Sequence, residues 1–426
     1  MVDRALTTGK RSLRSATLAA AMLAGILPPA PTEGAGAATG ASAGARCAPR
    51  ADPRLDLSPV DREMQRWIDR GAFPGGVLAI GRHGRLVSLR AYGRMSAAAD
   101  APPMTTDTMF DLASLTKVVG TTSAAAILYD RGLLRLDVPV AHYLPGFGAA
   151  PGHAAITVRQ LLAHASGLKP PTVPLWQLAQ DRAGLLALID GMPVSPAPGT
   201  EYHYRDENFI LLGQIVERIS GQPLDRFLQA NLFGPLRMDD TGFRPDLARR
   251  LRIAPTEQDD VLRHRLVQGE VHDENAWVLG GVSGNAGLFS TACDLSRLSQ
   301  MYLDGGTLAG RRIVARRTIA LFTTPQNIPA GSRRALGWDT QGSAGGYAGP
   351  LAAPRSISHT GFTGTSIYID FDRDAFVVLL TNRVNPTRAN HLIDAARPAI
   401  STAVLMAIDG RRPAAPAPAS TGARGQ

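Results

Sequence analysis

Strand-length apolar runs stand near both ends of this 426-residue chain, and the segments between them carry helical periodicity. Val77 to Ile80 and Leu86 to Tyr92 flank the turn His83-Gly84, which reads as a hairpin. Thr365 to Phe371 and Ala375 to Thr381, joined by Asp372-Arg373-Asp374, read as a second one. A helix start at Ser58-Pro59, with Val60, Met64, Trp67 and Ile68 on its apolar face, opens the body. A long apolar-periodic helix over 388–408 closes it, and 114–131, 157–164, 206–220, 224–232 and 292–304 are helical in pattern. Strands at both ends and helices in the middle predict one antiparallel sheet flanked by helices, with the helical middle as a subdomain, an α/β (α+β) chain. At this length a hydrophobic content of 44% suffices to bury a large core.

The ends read differently. Arg4, Lys10, Arg11 and Arg14 precede a short apolar stretch from Leu18 to Leu27, followed by small-residue sites such as Ala35-Gly36-Ala37 and Ala41-Ser42-Ala43. That pattern predicts an export signal, and the stretch is too short for a permanent membrane span. Residues 31–53 are rich in Ala, Gly and Pro and read as a disordered linker, so 1–54 form a leader, 55–408 the folded domain and 409–426 a disordered tail. The run Gly40-Ala41-Ser42-Ala43-Gly44 matches a nucleophile elbow in letters only, because no strand precedes it and no helix follows. Cys47 and Cys293 could pair after export, but Cys293 sits in a helical pattern and reads more simply as a small buried residue. The Arg before Cys47 makes a poor lipidation signal. Residues 1–45 carry +2 and residues 410–426 carry +3, leaving +4 of the net +9 on the body between them. This mildly basic surface lacks the basic and aromatic clusters of a nucleic-acid binder and is compatible with an anionic wall polymer or membrane surface.

Lysine is scarce: three of the 45 basic residues are Lys, and the rest are Arg. Lys10 lies in the leader and Lys169 precedes a Pro-Pro turn. Lys117 follows Ser114 by three positions at the predicted start of a helix, where the two side chains can meet. A buried Lys can lose its proton and act as a base, which Arg cannot. The Ser hydroxyl would lie where unpaired N–H groups favour a developing oxyanion, and a Lys kept neutral by burial could take its proton. The competing reading makes Ser114 a helix cap and Lys117 a solvated first-turn residue.

Two further elements follow. In Pro198-Gly199-Thr200-Glu201-Tyr202-His203-Tyr204-Arg205-Asp206, Tyr204 and Asp206 stand just before a helix, as a polarised phenol and a polar partner or as a packing aromatic and a cap. In Ser358-His359-Thr360-Gly361-Phe362-Thr363-Gly364, two glycines allow close backbone approach to a ligand before an apolar strand. A backbone N–H there could complete an oxyanion hole with that of Ser114.

Ser-x-x-Lys, Tyr-x-Asp and His-Thr-Gly in this order resemble the signature of penicillin-recognising serine enzymes. The chain resembles the serine beta-lactamase-related family, in its class C-like and penicillin-binding-protein-4B-type branch, over roughly residues 58–405. Arg159 to Leu168, Gly280 to Thr291, Val271 to Ala276 and Val378 to Arg383 extend the likeness. The resemblance implies a beta-lactamase/transpeptidase-like fold. It implies Ser114 as acylated nucleophile, Lys117 as activating base or proton relay, and Tyr204 as the proton-shuttling partner. It further implies Asp206, His359, Thr360, Gly361 and Phe362 as substrate-binding residues, with the N–H groups of Ser114 and Phe362 as the oxyanion hole. Arg205 stands where a small Ser is usual, Asn285 where His is frequent, and His359 replaces the more familiar Lys, which weakens recognition of a beta-lactam carboxylate. The expected protein is an exported monomeric serine hydrolase without metal or cofactor, acting on a D-alanyl peptidoglycan peptide, a small ester or, weakly, a beta-lactam. The alternative from another class is a catalytically silent wall-binding module.

Overall fold

The computed structural model describes residues 47–342 and 347–411. The expected export signal, the run 40–44 and the tail from 412 lie outside the described residues.

The two hairpins meet in one antiparallel sheet. Its strands are β1 (Gly75–Arg82), β2 (Arg85–Gly93), β3 (Asp339–Thr340), β4 (Ser356–Thr360), β5 (Ser366–Asp370) and β6 (Ala375–Thr381), in the order β3-β4-β5-β6-β1-β2. The join is β1 against β6, with Val77 opposite Leu380 and Ala79 opposite Val378. Each hairpin alone would leave an apolar strand with unpaired N–H and C=O groups, and this pairing satisfies both.

Side chains alternate between two cores. Leu78, Ile80, Val377 and Leu379 join Val60, Met64 and Trp67 of helix α1 (Ser58–Asp69) on one face. Val77, Ala79, Val378 and Leu380 join the larger core on the other, with Ile127 of α2 (Ser123–Asp130), Phe209 of α3 (Asp206–Ser220) and Leu295 of α4 (Ala292–Leu303). The closing helix α5 (Ile393–Ile408) covers the first face through Ile400 and Val404. A strand covered on both faces is apolar throughout, which is why β6 reads as an unbroken run.

Several boundaries differ from the periodicity. The closing helix begins at Ile393 rather than 388, because Arg388 turns aside to Glu257 and the Asn390 side chain accepts from the Leu392 N–H. The expected helix 114–131 is three pieces: a 3₁₀ turn at Ala113–Leu115, a π-helical stretch at Lys117–Thr122, then α2. Every residue of the π stretch is buried, and Thr121 donates its hydroxyl to the Gly284 carbonyl at 2.7 Å, so tertiary packing decides its winding.

Residues 47–54, expected as the end of a free linker, are tied to the body. Cys47 is disulfide-bonded to Cys293 at the head of α4, and the Arg50 N–H donates to Leu86 O at 2.8 Å along edge strand β2. Cys293 is therefore a cross-link rather than a small packing residue, and the Cys47 sulfur is not free to carry a lipid. Asp409, expected to begin the disordered tail, pairs with Arg373 of the β5–β6 turn at 2.8 Å. No described helix is long and apolar enough to cross a membrane.

Candidate active site

Ser114 sits on a turn assembled by buried polar bonds. Phe110 and Asp111 pair with the short strand Leu288–Ser290. The buried Asp111 carboxylate then accepts the Ala113 N–H at 2.8 Å and the His272 N–H at 2.7 Å. Ala113 is held at φ +46°, a left-handed conformation that L-residues avoid and that clusters at functional sites. The chain thus reverses sharply just before Ser114.

Lys117 lies directly beneath, with 0% of its side chain exposed. Its Nζ donates to Ser114 Oγ at 2.9 Å and to the Asn285 carbonyl at 3.0 Å, and pairs with Asp206 Oδ1 at 2.6 Å. The three partners account for the three N–H donors of an ammonium. The solvated-face reading is thereby excluded, while Lys169 is exposed. The expectation that burial keeps Lys117 neutral is overturned as well. Burial does oppose the charge, but the Asp206 carboxylate in contact with it outweighs burial and raises the lysine, so Nζ rests as an ammonium.

Tyr204 forms the second wall. Its ring stacks on His164 with centroids 4.4 Å apart and stays 39% exposed to the cleft, while its hydroxyl interacts with both Lys117 and Ser114. Burial of that hydroxyl end raises the phenol against the opposing pull of Lys117, so it is neutral. His164 Nδ1 accepts from the Arg205 N–H at 3.1 Å and from Asn208 at 3.2 Å, fixing the ring under Tyr204. Burial drives His164 well below the usual histidine range. Asp206, expected to touch substrate or to cap α3, is instead the first helical residue and the partner of Lys117. Arg205 holds the cap position without a side-chain bond.

The third wall is β4 and its exit, the segment expected to approach a ligand closely and to complete the oxyanion hole. Gly361 has no room for a side chain: a Cβ there would lie 2.3 Å from the Leu112 carbonyl oxygen. Thr363 donates to Asp111 O at 2.7 Å and Thr365 to Leu112 O at 3.1 Å. These contacts stitch the Gly361-Phe362 backbone against the segment that carries Ser114, as a shared oxyanion site requires. His359 is buried and falls well below its ordinary range, mainly through burial and then through Arg334 and Lys117. It donates Nδ1–H to Thr360 O at 2.8 Å and, among the described residues, leaves Nε2 without a partner. It is therefore neutral and does not supply the charge of the Lys it replaces.

Positive charge comes from residues the motifs did not point to. Arg383 donates Nε–H to Phe362 O at 2.7 Å and lies 4.3 Å over the Phe362 ring, which also has His272 at 5.7 Å and Arg388 at 5.9 Å. Arg397, from α5, donates to Gly361 O at 2.6 Å and Thr365 O at 3.2 Å. Among the described residues neither guanidinium has a carboxylate at hydrogen-bond distance; Asp394 stands 3.8 Å from Arg397. Burial lowers Arg397 to about 10 against the opposing pull of Asp394. Arg383 ends one of the stretches that extend the family likeness but was given no role there, and nothing in the sequence marked Arg397.

Ser114, Tyr204, His359, Phe362, Arg383 and Arg397 line one cleft of about 370 Å³. Thr360 and Gly361 line it too, so it gathers every expected site residue except Lys117, which lies buried below Ser114, and Asp206, which pairs with it. A larger groove of about 660 Å³, between α4, the helix Arg316–Thr323 and the β3 edge, contains none of these groups. Among the described residues no three His, Cys, Asp or Glu side chains gather closely enough to hold a metal ion. The cleft can hold an acyl group on Ser114, stabilise an oxyanion with backbone N–H groups and move protons through Lys117 and Tyr204.

Residues 60–399 match the family model described as Beta-lactamase. A protein of Escherichia coli K12, provisionally named D-alanyl-D-alanine carboxypeptidase, is 34% identical over 77% of this chain and 82% of its own length. An N-acetylmuramyl-L-alanine amidase of Bacillus subtilis 168 is 35% identical over 77% of this chain and 81% of its own. The solved structure of a penicillin-binding protein homolog from Caulobacter crescentus has a TM-score of 0.68 at 22% identity, over 84% of this chain and 98% of that one, a likeness of fold.

Proposed function

The chain belongs to the beta-lactamase family and is a serine hydrolase, and we propose that it is an exported enzyme that removes the terminal D-alanine from peptidoglycan peptides. Ser114 Oγ attacks the amide carbonyl carbon. The oxyanion forms against the N–H groups of Ser114 and Phe362, and, once Lys117 has lost its resting proton, the serine proton passes to its neutral Nζ and by Tyr204 to the departing amine. Water then attacks the ester on Ser114, returning a proton by the same route.

The observation that carries the peptide reading is the pair Arg383 and Arg397 at one end of the cleft, held by backbone carbonyls and, among the described residues, with no carboxylate nearer than Asp394 at 3.8 Å from Arg397. A substrate that ends in a carboxylate supplies the missing anion, whereas a neutral ester does not. Hydrolysis of an acyl-D-alanyl-D-alanine peptide should exceed that of its C-terminally amidated form by at least about tenfold in kcat/KM, the scale of one charge-assisted hydrogen bond. It should also exceed hydrolysis of nitrocefin and p-nitrophenyl esters. Equal cleavage of the free and amidated peptides, with a faster ester, would transfer the reading to an esterase.

Two observations support export. The Cys47–Cys293 cross-link persists in oxidising compartments and is uncommon in the cytosol. The basic and apolar leader is the second. Mass spectrometry of the protein from its native host should find a chain that begins between Leu27 and Cys47 in the envelope or medium. A full-length chain confined to the cytosol contradicts it.

A further inference from the structure

We propose that Asp206 is a positioning residue that fixes Lys117 as an ammonium in the resting enzyme and thereby moves the pH range of acylation upward. The inference rests on the reading of Ser114 as nucleophile and adds to it the group that decides when its base is ready.

The geometry leaves one candidate for that duty. Lys117 is sealed from water, and its Nζ touches one carboxylate, Asp206 at 2.6 Å. Six titratable groups face it: Tyr204, Asp206 and Glu207 at the head of α3, Asp273, His164 and His359. Burial, reinforced by Asp206, raises Glu207 and Asp273, and neither is in ion-pair contact with Nζ. Tyr204 and the two histidines are neutral, for the burial reasons given above. Asp206 therefore supplies the negative charge in contact with Nζ.

It also has little else to do. Asp206 does not cap α3, and its side chain is 32% exposed, so it can be hydrated when unpaired. Its remaining service to the helix is a first-turn charge, worth about 0.3–1 kcal/mol.

The sign follows. A lysine that must be neutral to accept the Ser114 proton gives a rate that rises with pH through the lysine's own titration. An opposite charge in contact moves that titration up by about one to three units. Removing the charge leaves burial unopposed and moves it down. Asp206→Asn keeps the shape and removes the charge.

The test is the pH dependence of fluorophosphonate labelling of Ser114, which does not depend on the natural substrate. The rising limb in D206N should lie about one to three pH units below that of the wild type, with labelling at pH 7 at least about tenfold faster. Asp206→Glu, which keeps the charge, should leave the limb within about half a unit of the wild type. If D206N fails to fold, Asp206→Ser carries the same expectation, because it suits a helix start without charge. Coincident limbs in the charged and uncharged variants overturn the proposal. So does a folded D206N that labels slowly at every pH, since the carboxylate would then itself be the proton acceptor. Absence of labelling in the wild type would instead remove the nucleophile assignment.

Discussion

Ser114→Ala is expected to abolish labelling by a fluorophosphonate or a fluorescent penicillin and to lower peptide hydrolysis by about four to six orders of magnitude. Among the described residues no other serine or threonine hydroxyl combines contact with the Lys117 ammonium, access to the cleft and a turn strained at Ala113. Stability should hold or rise slightly. The alanine keeps the turn, Asp111 keeps its two backbone donors, and Nζ keeps Asn285 and Asp206. Thermal melts and intact-mass labelling read the two effects separately. Labelling that survives the substitution sinks the assignment. A wild type that neither labels nor turns over any acyl substrate returns the chain to the silent wall-binding alternative.

What could be read in advance divides along a physical line. β1 and β6 were legible because strands covered on both faces are apolar without a break. β4 was not: Ser356-Ile357-Ser358-His359-Thr360 offers one aliphatic residue, and its strand character comes from pairing with β5. The proximity of Ser114 and Lys117 followed from a three-residue spacing and survives the break of the helix into 3₁₀ and π pieces. The charge on Lys117 did not follow, because it depends on a carboxylate some ninety residues away whose approach is tertiary. The same holds for the anion-binding end of the cleft. His359 was visible in a motif and proves neutral, while Arg383 and Arg397 were given no role by any motif and carry the charge. Local spacing exposes pairs on one element; electrostatic state needs the whole shell.

That distinction decides how Lys117 should be tested. Arg is the natural charge-preserving replacement on sequence grounds, yet the slot beneath Tyr204 and Phe209 is closed on all sides, and a guanidinium is too large for it. Lys117→Met is the cleaner experiment, since Met matches the length of the stem and fills apolar gaps without branching. Acylation is expected to fall by about two to four orders of magnitude, the usual contribution of a general base. Stability is expected to stay level or increase, because the variant no longer buries an ammonium, and Asp206 reaches water once released. A variant that melts as high as the wild type but acylates slowly marks a residue kept for chemistry at some expense to the fold. Near-native acylation in K117M would leave Tyr204 as the proton acceptor. A drop in melting temperature beyond about 8 °C would instead make the three-way anchoring of Nζ a structural device.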